Sequence, residues 1–304
     1  MFCAGTGIAI VIPVAQRELT ESIFLRYFKG KTMQKSTIAT WILTLGAAAA
    51  GIQQANALDW SDTSVGYRYG TKFREPFNTQ DISKNIVNVT HADGYMWGTN
   101  YLNLDILNSD KTDSHATEAY LVYRNTLDIG KISGKDLSFG PARGFGMTLG
   151  FDWNTKNDPG YGSKKRMLVA GPTVMFNVPG FLNVSLLALR ESNQPVGLPS
   201  RYTYKTHAML NAAWGIPISD TGWAFEGYMN YIAAKGKDEF GGDTAAETNI
   251  DAMLMYDLGS KVGWGKNKVR VGVEYQYWRN KFGNVPQVPG SLAKTPMVRA
   301  EYHF

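Results

Sequence analysis

Val298-Arg299-Ala300-Glu301-Tyr302-His303-Phe304 (VRAEYHF) ends the chain and alternates without a break. Val298, Ala300, Tyr302 and Phe304 share one parity; Arg299, Glu301 and His303 share the other. Successive side chains of an extended strand point to opposite faces, so the segment has one greasy side and one charged side. Wound as a helix, the same residues would spread charge around the whole circumference.

The rhythm continues upstream. Val269, Val271, Val273, Tyr275 and Tyr277 oppose Arg270, Gly272, Glu274, Gln276 and Trp278. Phe145, Met147, Leu149, Phe151 and Trp153 oppose Gly144, Gly146, Thr148, Gly150 and Asp152. A third run sets Tyr202, Tyr204, Thr206, Ala208, Leu210, Ala212 and Trp214 against Arg201, Thr203, Lys205, His207, Met209 and Asn211. A soluble sandwich also alternates, but its inner face must be dry. Here the face opposite the aliphatics gathers Arg, Lys, Glu and Asn, which is costly in a dry core and acceptable in a water-filled lumen. The aromatics Tyr202, Trp214, Trp223 and Tyr302 lie near strand ends, as the interfacial girdles of a membrane barrel require. The fold class read from this pattern is all-β: a transmembrane antiparallel β-barrel of the bacterial outer membrane.

Composition agrees. The 304 residues hold 16 Tyr, 14 Phe, 8 Trp and 32 Gly, which suits many strands and turns. No apolar run reaches the length of about 20 residues that a spanning helix needs. The single cysteine, Cys3, precedes the barrel, so no disulfide is expected within it. Net charge is +5 for the whole chain, too small to argue for nucleic acid.

The N-terminus reads as an address. Lys35 gives a positive region, Ile38 to Gly51 (IATWILTLGAAAAG) an apolar one, and Ala55-Asn56-Ala57 a small-x-small cleavage pattern. Residues 33–57 are therefore expected to be a signal peptide, and 58–304 the barrel domain. Residues 1–32 are expected to be a start-site extension, with the true start at Met33.

Twelve strands are expected near 62–73, 84–92, 98–107, 116–129, 143–154, 165–178, 181–190, 201–216, 222–233, 247–258, 267–279 and 295–304. Turn chemistry separates them at Asn157-Asp158-Pro159-Gly160, Pro179-Gly180, Gly236 to Gly242, Gly263 to Gly265 and Pro286 to Gly290. The segments at 84–92 and 181–190 alternate least well, the latter changing phase near Leu187. Ten or fourteen strands also fit the spacing.

Several stretches resemble the nucleoside-specific channel family of outer-membrane proteins, Tsx and its relative OmpK. They are Gly134 to Pro141 (GKDLSFGP), Tyr67 to Phe73 (YRYGTKF) followed by Pro76, His91 to Gly94 (HADG), Val178 to Phe181 (VPGF) and the Tyr302-His303-Phe304 ending. The similarity spans nearly all of 58–304 and leans toward the OmpK branch. It implies a monomeric twelve-stranded barrel with a narrow lumen that passes nucleosides. It also implies insertion by the barrel assembly machinery, which reads a terminal Phe, and use as a phage or colicin receptor. Phe73 matches a family aromatic near the nucleoside path. Its own parity points it outward with Tyr67 and Tyr69, unless a bulge or the strand end turns it.

A lumen that selects nucleosides needs ring faces for the base and polar groups for the sugar hydroxyls. Stacking contributes roughly 1–3 kcal/mol per base, and several weak sites in series allow release. Tyr101, Tyr120, Tyr228 and Trp278 have lumen parity and are candidates for stacking. Arg68, Glu118, Glu226, Arg270, Glu274 and Arg299 lead the polar candidates. Lys72, Asn103, Asp105, Arg124, Asp128, Lys205, Asn211, Asn230, Asp251, Gln276 and Glu301 share that parity. The alternative for any one of these is plain charge pairing that holds the barrel in shape. His91, His115, His207 and His303 stand in no nucleophile motif, and Gly-x-Ser-x-Gly is absent. Catalysis, a metal site and a cofactor are therefore not expected. A barrel acting only as scaffold or receptor, and a channel for another small solute, are the rival readings.

Overall fold

The computed structural model describes residues 58–304, so the expected signal peptide at 33–57 and the expected extension at 1–32 lie outside the described residues. The strands are β1 (Leu58–Phe73), β2 (Ile82–Tyr95), β3 (Gly98–Ser109), β4 (Thr117–Asp128), β5 (Ala142–Lys156), β6 (Arg166–Phe176) and β7 (Phe181–Asn193). They continue as β8 (Tyr202–Thr203), β9 (His207–Pro217), β10 (Trp223–Ile232), β11 (Glu247–Asp257), β12 (Val269–Arg279) and β13 (Leu292–His303). β8 and β9 both pair with β7 along the same edge, so they form one stave and the barrel has twelve. Neighbours in sequence are neighbours in the sheet, β6 pairs with β7, and β1 pairs with β13. The meander is thus closed on itself, which removes the open edges a flat sheet would have.

Burial is inverted relative to a soluble domain. Leu168, Leu186 and Val298 are 60%, 58% and 58% exposed, whereas Lys84 and Glu274 are each 2% exposed. A continuous apolar outer face on a closed sheet satisfies the rule that every backbone group crossing a bilayer must be paired internally. Large exposed rings mark both rims. Trp60, Trp97, Trp223, Phe181 and Tyr302 lie toward the end holding Leu58 and Phe304, and Trp153 and Tyr231 toward the other. The protein is a membrane-spanning barrel of the outer-membrane type. In such barrels the longer connections are extracellular. Here the connections opposite the chain ends, 74–81, 110–116, 157–165, 194–206, 233–246 and 280–291, are longer on average than those at the other end, although 129–141 and 258–268 there are also long.

Three readings of the strands need correction. β1 gains a residue between Gly70 and Phe73 relative to β2, where Gly70 faces Lys84 and Phe73 faces Ile82. This bulge flips the parity. Phe73 therefore turns inward onto Ile82, Ile86 and Met297, while Lys72, expected in the lumen, is exposed on the outer face. In β7 no phase change occurs at Leu187. Leu187 and Leu189 both face inward and pack with Val169 and Met209, an apolar sector that polarity alone did not predict. Between β8 and β9 the chain leaves the ladder at 204–206, so Tyr204 is buried and Lys205 is exposed, the reverse of the expected faces.

Candidate functional site

The lumen has two levels. At mid-height the inward register of β1, β3, β10, β12 and β13 gathers a belt of arginines and carboxylates. Arg68 donates to Glu274 at 2.9 Å and pairs with Asp105 at 2.5 Å. Arg299 donates to Glu274 at 2.7 Å and, through Nε, to Glu301 at 2.7 Å. Arg270 pairs with Glu226 and approaches Glu301 at 3.7 Å. On the far wall Arg124 pairs with Asp152, which also accepts from the Tyr120 hydroxyl at 3.1 Å. Gly150 makes room for that arginine, since a Cβ there would sit 2.7 Å from Arg124 Cδ. Counting Asp251, the level holds four guanidinium groups against six carboxylates.

Tyr101 has inward register opposite Ala92 and Arg124, yet is 42% exposed, so its surroundings are wet. Beside Tyr228, Asn249 donates to its hydroxyl at 3.4 Å. The Oδ1 atom of Asn249 and Nε of Arg68 are buried without a protein hydrogen-bond partner. Asn211 donates to Asn230 at 2.7 Å, completing a polar wall between β9 and β10.

The loop-end level is built differently. Glu75 accepts from Lys84 at 2.6 Å and from Lys281 at 3.2 Å. Asp113 accepts from Lys156 at 3.0 Å, and Glu118 from Asn154. Glu191 pairs with Lys235 at 2.8 Å and with Lys165 at 3.5 Å. With Glu247, which accepts from Trp278 Nε1 at 2.5 Å, five carboxylates balance five lysines. The lysines also lie on ring faces: Lys165 at 3.8 Å from the centroid of Phe282, Lys235 at 4.3 Å from Tyr204 and Lys281 at 4.6 Å from Trp278. Such cation–π contacts are strongest where water is excluded.

Loop 280–291 makes the cross-connection. Asn280, Phe282 and Gly283 all have positive φ, at 52°, 62° and 82°. That tight turn sends Lys281 to Glu75 beside β1 and Phe282 to Lys165, which precedes β6 on the opposite wall. Burial alone would push Glu75 up; the ammonium groups of Lys281 and Lys84 outweigh it and hold the carboxyl well below its ordinary value. A second tie joins three loops. Glu239 accepts from Tyr161, Tyr204 and Asn193. Burial raises that carboxyl, and the hydroxyls of Tyr161 and Tyr204 more than offset it, leaving it below the usual range.

Of the residues singled out in the sequence, Arg68, Tyr101, Tyr120, Glu226, Tyr228, Arg270, Glu274 and Arg299 come together at mid-lumen. Glu118, Trp278 and Phe73 belong instead to the loop-end level. Trp278 is held by Glu247, Lys281 and an edge contact with Phe282, so its face is not free for a solute. Asp128 faces the opposite end and caps the helical turn Ile129–Ser133. Sequence reasoning missed Lys84 and Glu191, although both have lumen parity. It also missed Glu75, Lys235, Glu239, Lys281 and Phe282, which lie in loops where parity carries no information.

No protein-family model matches the chain, and no curated protein matches it. The likeness to nucleoside-specific channels therefore rests on the quoted residues. Several solved barrels are similar in shape. The KdgM porin is 12% identical, with 79% of this chain and 99% of that chain covered and a TM-score of 0.41. The NanC porin is 8% identical, with 78% and 98% covered and a TM-score of 0.44. The translocator domain of the autotransporter NalP from Neisseria meningitidis is 13% identical, with 88% and 98% covered and a TM-score of 0.43.

Proposed function

We propose that this barrel is an outer-membrane channel for small, uncharged polar solutes, with nucleosides as the substrate class. The observation that carries the reading is the mid-lumen level. Tyr101 is open to water, Tyr120 and Tyr228 line the same level, and an unpartnered acceptor on Asn249 stands beside Tyr228. A flat base and a sugar bearing hydroxyl donors match that combination. Stacking at roughly 1–3 kcal/mol per base is weak enough to permit release. Four guanidinium groups against six carboxylates disfavour anionic solutes, so acidic sugars fit this lumen poorly.

A second reading, a surface receptor without selective transport, is favoured by the loop tips. Phe77 and Phe240 are exposed there, and Glu239 ties three loops into one surface that a phage or colicin could grip. Proteoliposome swelling separates the two. Faster flux of nucleosides than of sugars or amino acids of equal size supports the channel reading. Equal flux points to a general pore, and no flux to the receptor.

A further inference from the structure

Four basic side chains crowd one stretch of the outer rim, at the loop end, where β6, β7 and β8 meet. Arg166 lies opposite Ser192, and Leu168 opposite Arg190. The two arginines are therefore diagonal neighbours on one face, about 7–8 Å apart by ordinary sheet spacing. Arg201 reaches the same place, donating to the Lys164 carbonyl at 2.7 Å and to Ser192 Oγ at 3.4 Å. Lys164 itself is exposed beside them. Among the described residues none of the four forms an ion pair. The adjacent carboxylate, Glu191, points into the lumen, where Lys235 and Lys165 hold it. The cluster opposes itself: partial burial and then the charge of Arg166 lower the pKa of Arg201.

Position tells what would relieve that repulsion. Leu168 lies beside Arg190, and Leu186 and Leu210, paired with each other, lie further down the same outward rows beyond Ala188 and Ala208, in the lipid-facing band. Guanidinium groups anchored at the edge of a hydrocarbon surface stand at headgroup depth. Their planar donors match phosphate in bidentate fashion. A free aqueous anion would use the arginines and ignore the apolar floor, whereas a lipid uses both. A thinner basic group of Lys72, Arg279 and Lys294 follows the rim on β1, β12 and β13.

We propose that Arg166, Arg190 and Arg201, with Lys164, bind the phosphate groups of an anionic lipid in the outer leaflet, its acyl chains lying on Leu168, Leu186 and Leu210. This site does not depend on what passes through the lumen.

Native mass spectrometry of the folded barrel in detergent tests it, with bisphosphorylated lipid A as the probe and its fully dephosphorylated form as the comparison. The wild-type barrel should retain the phosphorylated lipid and release the other. The combined Arg166→Gln, Arg190→Gln and Arg201→Gln variant should bind the phosphorylated probe about tenfold more weakly, given the strength of charge-assisted bonds. The matching Arg→Lys combination should recover part of that loss. Heat-dependent gel mobility reports whether each variant is folded. Equal retention of both probes by the wild type overturns the proposal. So does unchanged binding by a folded triple variant. Should the triple variant not fold, Arg190→Gln alone decides: weaker retention supports the site and undiminished retention overturns it.

Discussion

The two levels of the lumen use the same chemistry to different ends. At the loop end five lysines meet five carboxylates, and the ammonium groups also rest on Phe282, Tyr204 and Trp278. At mid-height arginines replace lysines, carboxylates outnumber them, and Tyr101 remains open to water. A lysine is a compact charge on a flexible stem, suited to filling a mouth and sitting on a ring. An arginine presents a planar fork, so one carboxylate such as Glu274 can be held by two of them along the wall. The upper level therefore closes space and the lower level shapes it.

Glu274→Ala should break that contrast most severely. It leaves Arg68 and Arg299 without their shared partner, and removing one member of a buried pair costs about 3–5 kcal/mol. Urea unfolding in micelles, followed by tryptophan fluorescence, measures it. Glu75→Gln acts at the other level. It weakens the hold on Lys84 and Lys281 by about 1.5–3 kcal/mol, the worth of hydrogen bonds to charged groups. Single-channel conductance should rise as loop 280–291 loosens; unchanged conductance would mean the mouth does not limit flow.

Tyr120→Ala with Tyr228→Ala should sharpen the comparison. Loss of roughly 1–3 kcal/mol of stacking would erase preference for nucleosides over sugars in swelling assays, with little change in stability. Trp278→Ala should instead behave as a loop-end variant, altering conductance and leaving solute preference intact. The smallest effect concerns pH. Glu239 is depressed in the folded state, so its tie is fully present above the ordinary carboxylate pKa of about 4.3. It weakens as pH falls below that toward the lower folded value. Hydrogen exchange in 233–246 should therefore be slow near neutrality and accelerate on acidification. Tyr161→Phe, which removes one of the bonds that depress Glu239, should move that acceleration to higher pH.

Alternation made the staves legible, because a period of two leaves only two faces to assign. Val298 to Phe304 and Val269 to Trp278 fell on the expected sides, and with them the inward placement of Arg270, Glu274, Arg299 and Glu301. The same rule failed wherever the chain left strict pairing. One extra residue before Phe73 reversed its face, and the break at 204–206 exchanged Tyr204 for Lys205. The inward leucines of β7 were obscured because apolar residues on both faces erase the contrast that parity depends on.

The local sequence by itself determined that this chain forms a β-barrel, apolar outside and charged within, since strand periodicity is a property of neighbouring residues; the pairings of the closed sheet set the number of staves at twelve. Only the tertiary structure decided which charges meet. Arg68 and Glu274, or Phe282 and Lys165, lie far apart in sequence, and closure of the sheet brings them together. The physical reason is that alternation fixes the direction of a side chain, while register and loop path fix its height in the lumen and its partner.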